Sequence, residues 1–135
     1  MSDTLKVCGL TIERGAKLRT YLPVPDTNVK IPLTIINGEK DGPTLLITAG
    51  IHGGEYPGIA AAMELGRDIE PEHVAGCLIM MHPVNIQGFW ARREMIVPED
   101  GKNLNRVFPG DPTGTLADKT AYLISNNFFS IADFY

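Results

Sequence analysis

Residues Thr44-Leu45-Leu46-Ile47-Thr48-Ala49-Gly50-Ile51-His52-Gly53-Gly54-Glu55 carry an apolar run straight into a glycine-rich turn. The residues that follow, YPGIAAAMELGRDI (56–69), favour a helix through their alanines, Met63 and Leu65. A second apolar run, GCLIMMHPV (76–84), comes next. Strand, turn, helix and strand in this order, with apolar strands too uniform for a half-exposed sheet, predict an α/β fold with parallel strands covered on both faces. The turn 49–55 then lies at the carboxyl end of a buried strand, where open α/β sheets bind their ligands.

Toward the N-terminus, residues 5–12 and 29–36 read as strands rich in β-branched residues. Asn37-Gly38 and Asp41-Gly42-Pro43 are turn chemistry, which predicts an antiparallel start. Toward the C-terminus a long loop is expected from Asn85 to Gly114, followed by a covering helix over TLADKTAYLISNNFFSI (115–131). Leu116, Thr120, Leu123, Phe128 and Ile131 fall near one face of that helix, and Thr115 and Asp118 stand at capping spacing. The chain shows no repeat, low-complexity tract or linker, so one domain suffices.

Composition limits the function. The 135 residues are 44% hydrophobic and 21% charged, with a mean hydropathy of -0.01, a profile that suits one domain with a core. A formal charge of -4 and a pI near 5.3 give no basic footprint for nucleic acid or an anionic membrane. The first residues lack the apolar centre of a signal peptide and no run is long enough to span a bilayer, so a cytoplasmic protein is expected. Cys8 and Cys77 lie in apolar runs and read as buried thiols.

His52 and Glu55 are the first candidates for chemistry. Imidazole and carboxylate suit a borderline ion such as zinc, and glycines let ligands three positions apart bend toward one point. The plainer alternative is a strand-to-helix turn in which Glu55 favours the helix N-terminus. A serine hydrolase needs a nucleophile elbow, and none of Ser2, Ser125 or Ser130 has that context. A phosphate nest lacks Gly-Lys-Ser/Thr and would set Glu55 against an anion. His82 reads as a strand-end or core residue and His73 as solvent-facing. The loop GFWARREMIVPEDGKNLNRVFPGDPTG (88–114) holds the single Trp, three arginines and the pair Asn105-Arg106, which could grip a carboxylate or simply be a surface pair.

AGIHGGEYPG, the segment Arg92 to Pro98, PEDGKNLNRVFPGDPTG and the closing helix through Ala132-Asp133 together resemble the succinylglutamate desuccinylase/aspartoacylase family, within the zinc carboxypeptidase-like hydrolases. The resemblance runs from about Val29 onward. It implies a three-layer α/β/α sandwich around a mixed sheet, with His52 and Glu55 as the first two zinc ligands. It also implies Asn105 and Arg106 as the grip on a substrate carboxylate, and Arg92 as the arginine that steadies the carbonyl oxygen, with Arg93 as the alternative. The family's third ligand, a histidine, and its catalytic glutamate would lie beyond Tyr135. Residues 1–135 are therefore expected to be the N-terminal part of a single zinc-hydrolase domain, inactive alone and prone to self-association through an exposed sheet edge. The whole enzyme would remove the acyl group from a small carboxylate-bearing amide; the alternative is a carboxylate-binding module that has lost its metal.

Overall fold

The computed structural model describes residues 4–135. Two short strands, β1 (Thr4–Val7) and β2 (Leu10–Glu13), form an antiparallel hairpin. They divide the single strand expected over 5–12, because Cys8 and Gly9 take positive φ (49° and 75°) and reverse the chain between them. The main sheet contains β3 (Ala16–Pro23), β4 (Lys30–Asn37), β5 (Lys40–Thr48) and β6 (Ala75–Met81), in the order β3-β4-β6-β5. Among these four strands β5 and β6 pair in parallel, whereas β3–β4 and β4–β6 are antiparallel. The sheet is therefore mixed, as the resemblance implies, and the parallel character read from the apolar runs belongs to one strand pair.

Period-2 alternation splits the sheet into two apolar faces. Leu33, Ile35, Leu46, Ile79 and Met81 point to one side, into a core shared with Ala117, Ala121, Ile124 and Phe128 of α3 (Leu116–Asn127) or its end. Ile36 and Met80 point to the other, where Val74, Ile47 and Ile69 join them. Ile59 and Ala62 of α1 (Tyr56–Asp68) pack with Ala49 on this second side. Helix, sheet, helix gives three layers. Each fully buried Ile or Leu of this interior contributes about 1.5–3 kcal/mol of transfer free energy.

Caps fix both helices. The Asp118 carboxylate accepts the Thr115 N–H at 2.9 Å and the Thr115 hydroxyl at 3.0 Å, as the sequence spacing predicts. Lys17 of β3 reaches the end of α1, donating to the carbonyls of Arg67 and Ile69 at 2.8 Å each and to Glu70 Oε1 at 3.0 Å. The thiols differ: Cys77 is buried and its Sγ donates to Asn37 Oδ1 at 3.2 Å, whereas Cys8, on the hairpin turn, is only partly buried.

The loop expected over 85–114 is more structured than its composition suggests. It contains α2 (Ile86–Trp90) and a 3₁₀ turn at Leu104–Arg106. Beyond α3, Asp133 and Phe134 lie against the outer edge of β5: their N–H groups donate to Thr44 O at 2.9 and 3.2 Å, and Leu46 N–H donates to Phe134 O at 2.9 Å. No helix among the described residues is long and apolar enough to cross a membrane.

Candidate functional site

The turn after β5 is shaped by what packs on it. A side chain at Gly53 would meet the backbone of Phe89 at 2.3 Å and of Gly88 at 2.5 Å, so α2 lies directly on the turn. At Gly54 an added carbon would come within 2.9 Å of Glu94 Cα, and the Gly54 N–H donates to Glu94 O at 3.3 Å. The two glycines thus admit the segment that carries Arg92 and Arg93. Asn85 fixes that segment from within, accepting Gly88 N–H at 2.9 Å and donating to Ile96 O at 3.0 Å.

His52 and Glu55 come together on the turn. His52 Nδ1 lies 3.0 Å from Glu55 Oε1, with the His52 side chain 14% exposed and that of Glu55 63%. Glu55 occupies the cap position of α1, yet its carboxylate makes no capping hydrogen bond. Its position at the start of α1 suits the plainer reading of a charge at the helix N-terminus, and on the turn its carboxylate pairs with His52.

The other face of the imidazole supplies the decisive contact. His52 Nε2 lies 2.9 Å from Asn103 Oδ1, and the same oxygen accepts the Asn105 N–H at 3.0 Å. An amide oxygen only accepts, so Nε2 carries a proton. Nδ1 then either holds a second proton toward Glu55 or offers it a lone pair. A lone pair facing a carboxylate oxygen at this distance is repulsive unless a cation lies between them. A proton is one such cation: the hydrogen bond to Asn103, and after it the pairing with Glu55, raise the His52 pKa, while partial burial and the Arg106 charge oppose the rise. A divalent ion that accepts one nitrogen and one oxygen donor answers the same need, so the pair fits the metal that the resemblance implies. Among the described residues no group of three or more His, Cys, Asp or Glu side chains gathers to hold a metal, so His52 and Glu55 offer two donors.

Asn105 and Arg106 are exposed on the 3₁₀ turn that Asn103 caps, and Arg106 is near enough for its charge to act on His52. Arg92 and Arg93 are exposed at the end of α2. They differ in backbone: Arg92 has φ 54°, a left-handed conformation uncommon outside glycine, held by its N–H to Phe89 O at 3.3 Å. His82 lies elsewhere, 7% exposed and hydrogen-bonded to Thr34 Oγ1 at 2.9 Å, with its pKa lowered chiefly by burial. His73 is exposed in the 3₁₀ turn Pro71–His73. Asn103 is the residue that the sequence reading missed. Its signal was faint: an amide two residues before Asn105, at the position that caps a short turn.

Comparison with known proteins bears on the fold and the family. The family model described as the succinylglutamate desuccinylase/aspartoacylase catalytic domain matches residues 41–134. N-alpha-acetyl-L-2,4-diaminobutyric acid deacetylase from Halomonas elongata is 43% identical over 108 residues, covering 75% of this chain and 31% of that protein. A succinylglutamate desuccinylase/aspartoacylase from Rhodobacter sphaeroides superposes with a TM-score of 0.83 at 34% identity, covering 98% of this chain and 41% of the other. The product-bound ectoine utilization protein EutE (DoeB) from Ruegeria pomeroyi gives 0.85 at 33% identity, covering 99% and 42%. The chain thus spans about two fifths or less of the length of these relatives. With the mixed sheet, the turn and the loop all matched, this chain belongs to the succinylglutamate desuccinylase/aspartoacylase family.

Proposed function

We propose that His52 and Glu55 hold one zinc ion in an enzyme that removes the acyl group from an acylated amino acid or a similar carboxylate-bearing amide. The observation that carries this reading is the 3.0 Å pair of His52 Nδ1 and Glu55 Oε1, with Nε2 committed to Asn103. The diaminobutyrate deacetylase relative supports the reaction class. The third donor and the proton-accepting carboxylate come, on this reading, from the further length that the relatives possess, and residues 1–135 are the N-terminal part of one domain. Free cysteines accord with the cytoplasmic setting that the reading includes.

Zinc, when bound, supplies Lewis acidity toward water and the scissile carbonyl. The chain's own residues supply orientation and charge. Arg106, with Asn105 beside it, grips the substrate carboxylate and so sets the distance of the amide from the turn. Arg92 donates to the carbonyl oxygen as negative charge grows on it, and its left-handed backbone, which costs about 1 kcal/mol or more, favours it over Arg93 for the role. Water adds to the carbonyl carbon, the C–N bond breaks, and the amine leaves with a proton. A carboxylic acid and the amino acid are the products.

In the longer protein, Arg106→Ala should mainly raise KM, because a clamp serves ground and transition states alike, whereas Arg92→Ala should lower kcat by about 10²- to 10³-fold. His52→Ala should abolish turnover together with metal content. Equal effects of both arginine variants on both parameters would contradict the division of roles, and full activity in His52→Ala would contradict the mechanism. A second reading, a carboxylate-binding module without metal, draws on the gathering of only two donors among the described residues. It requires binding of an acyl amino acid that zinc leaves unchanged.

A further inference from the structure

We propose that Lys102 and Asp118 are positioning residues for this site, their ion pair fixing the bend that presents Asn103 and, through it, both His52 and the Asn105-Arg106 pair. The inference rests on the reading of those residues given above. Its starting point is that Asn103 Oδ1 serves two elements at once, the imidazole and the 3₁₀ turn. A displacement of that oxygen would disturb both. Something must therefore hold the backbone on each side of Asn103.

On the C-terminal side the anchor is Leu104, which is fully buried in the main core. On the N-terminal side the backbone is exposed at Gly101 and has no core side chain of its own until Val97. Polar contacts to α3 take that place. Lys102 Nζ pairs with Asp118 Oδ2, and Asp118 is itself fixed by the Thr115 N–H and hydroxyl. Asp100 adds a second tie, accepting the Ala117 N–H at 2.8 Å through Oδ2 and the Lys102 N–H at 3.0 Å through Oδ1. The Val97 N–H, donating to Lys102 O at 2.9 Å, completes the bend. Helix α3 is a firm support, because Ala117, Ala121 and Ile124 along it are wholly buried. The Asp118 side chain is 15% exposed and that of Lys102 41%, so solvent screens the pair only in part.

Backbone relaxation in the metal-free chain, together with zinc calorimetry, tests the inference. Lys102→Met leaves the Thr115–Asp118 cap intact. It should lower the order parameters of residues 103–106 from about 0.85 toward 0.6 while α3 stays rigid, and broaden the low-field His52 Nε2–H resonance. Zinc affinity should fall about tenfold, as for loss of an outer-shell support, and Lys102→Arg should restore both readouts. Asp118→Asn, which keeps an acceptor for Thr115 but loses the charge, should reproduce Lys102→Met. Unchanged order at 103–106 and an unchanged Nε2–H signal in both charge-removing variants would overturn the inference and leave Leu104 as the sole anchor. Absence of His52-dependent zinc binding in the unaltered chain would instead sink the metal reading. The relaxation readout would still decide the positioning role.

Discussion

The orientation of the His52 ring depends on one amide oxygen 51 positions away in the chain. On the proposed reading, with Nε2 committed to Asn103 Oδ1, the nitrogen turned toward Glu55 is the one that would bind zinc. Asn103→Ala should therefore weaken zinc binding by about 10- to 100-fold without unfolding the chain, a change that competition with a chromophoric chelator would measure. An affinity within twofold of the unaltered protein would show that Glu55 and packing suffice to hold the ring. The sequence disclosed His52 and Glu55 because they are three positions apart in a turn whose place in the fold is recognisable. It did not disclose Asn103, whose role exists only once a loop folds back onto the turn, nor the left-handed backbone that distinguishes Arg92 from Arg93.

Among the elements, the long and uniform ones were legible: the apolar strands around 44–48 and 76–81, and the helices beginning at 56 and 116. The strand β3 was not expected, since AKLRTYLP mixes charge with apolar residues and Tyr21 is 62% exposed. Its alternation has meaning only against β4, where Leu18 faces Ile35 and Leu22 faces Ile31. Short α2 escaped for a similar reason, being held by Asn85 and by contact with Gly53 rather than by helical propensity. Acidification should test the packing between sheet and α1, where His82 sits. Its pKa is depressed by burial, so its neutral form contributes stability that is complete above about pH 6.5 and is lost as pH falls through the lower folded value. His52, raised in the metal-free chain, acts in the opposite sense: its contribution is complete below about 6.5 and is lost as pH rises through the higher folded value. Replacing both members of the buried pair, as Thr34→Val with His82→Met, avoids leaving an orphaned hydroxyl. Urea midpoints of that variant should rise, or hold level, from pH 7.5 to 5.5. A fall as steep as in the unaltered chain would place the acid lability elsewhere. The loss from Asp118, whose carboxyl is held low first by Lys102, belongs to still lower pH.

For the molecule as a whole, two helical layers around a mixed sheet bring the turn after β5, the end of α2 and the 3₁₀ turn at Leu104–Arg106 to one side. Among the described residues, the outer edge of β5 is paired only where Asp133 and Phe134 reach it, and Phe134 and Tyr135 remain 61% and 69% exposed. Sedimentation should accordingly show self-association of this chain as concentration rises, and a monomer throughout would mean that this edge is sufficiently protected. The central claim concerns the metal, and zinc calorimetry on these 135 residues addresses it most directly. The account predicts one ion per chain, bound more weakly than at a three-ligand site and lost in a His52→Ala, Glu55→Ala double variant. Undiminished binding in that double variant would contradict it.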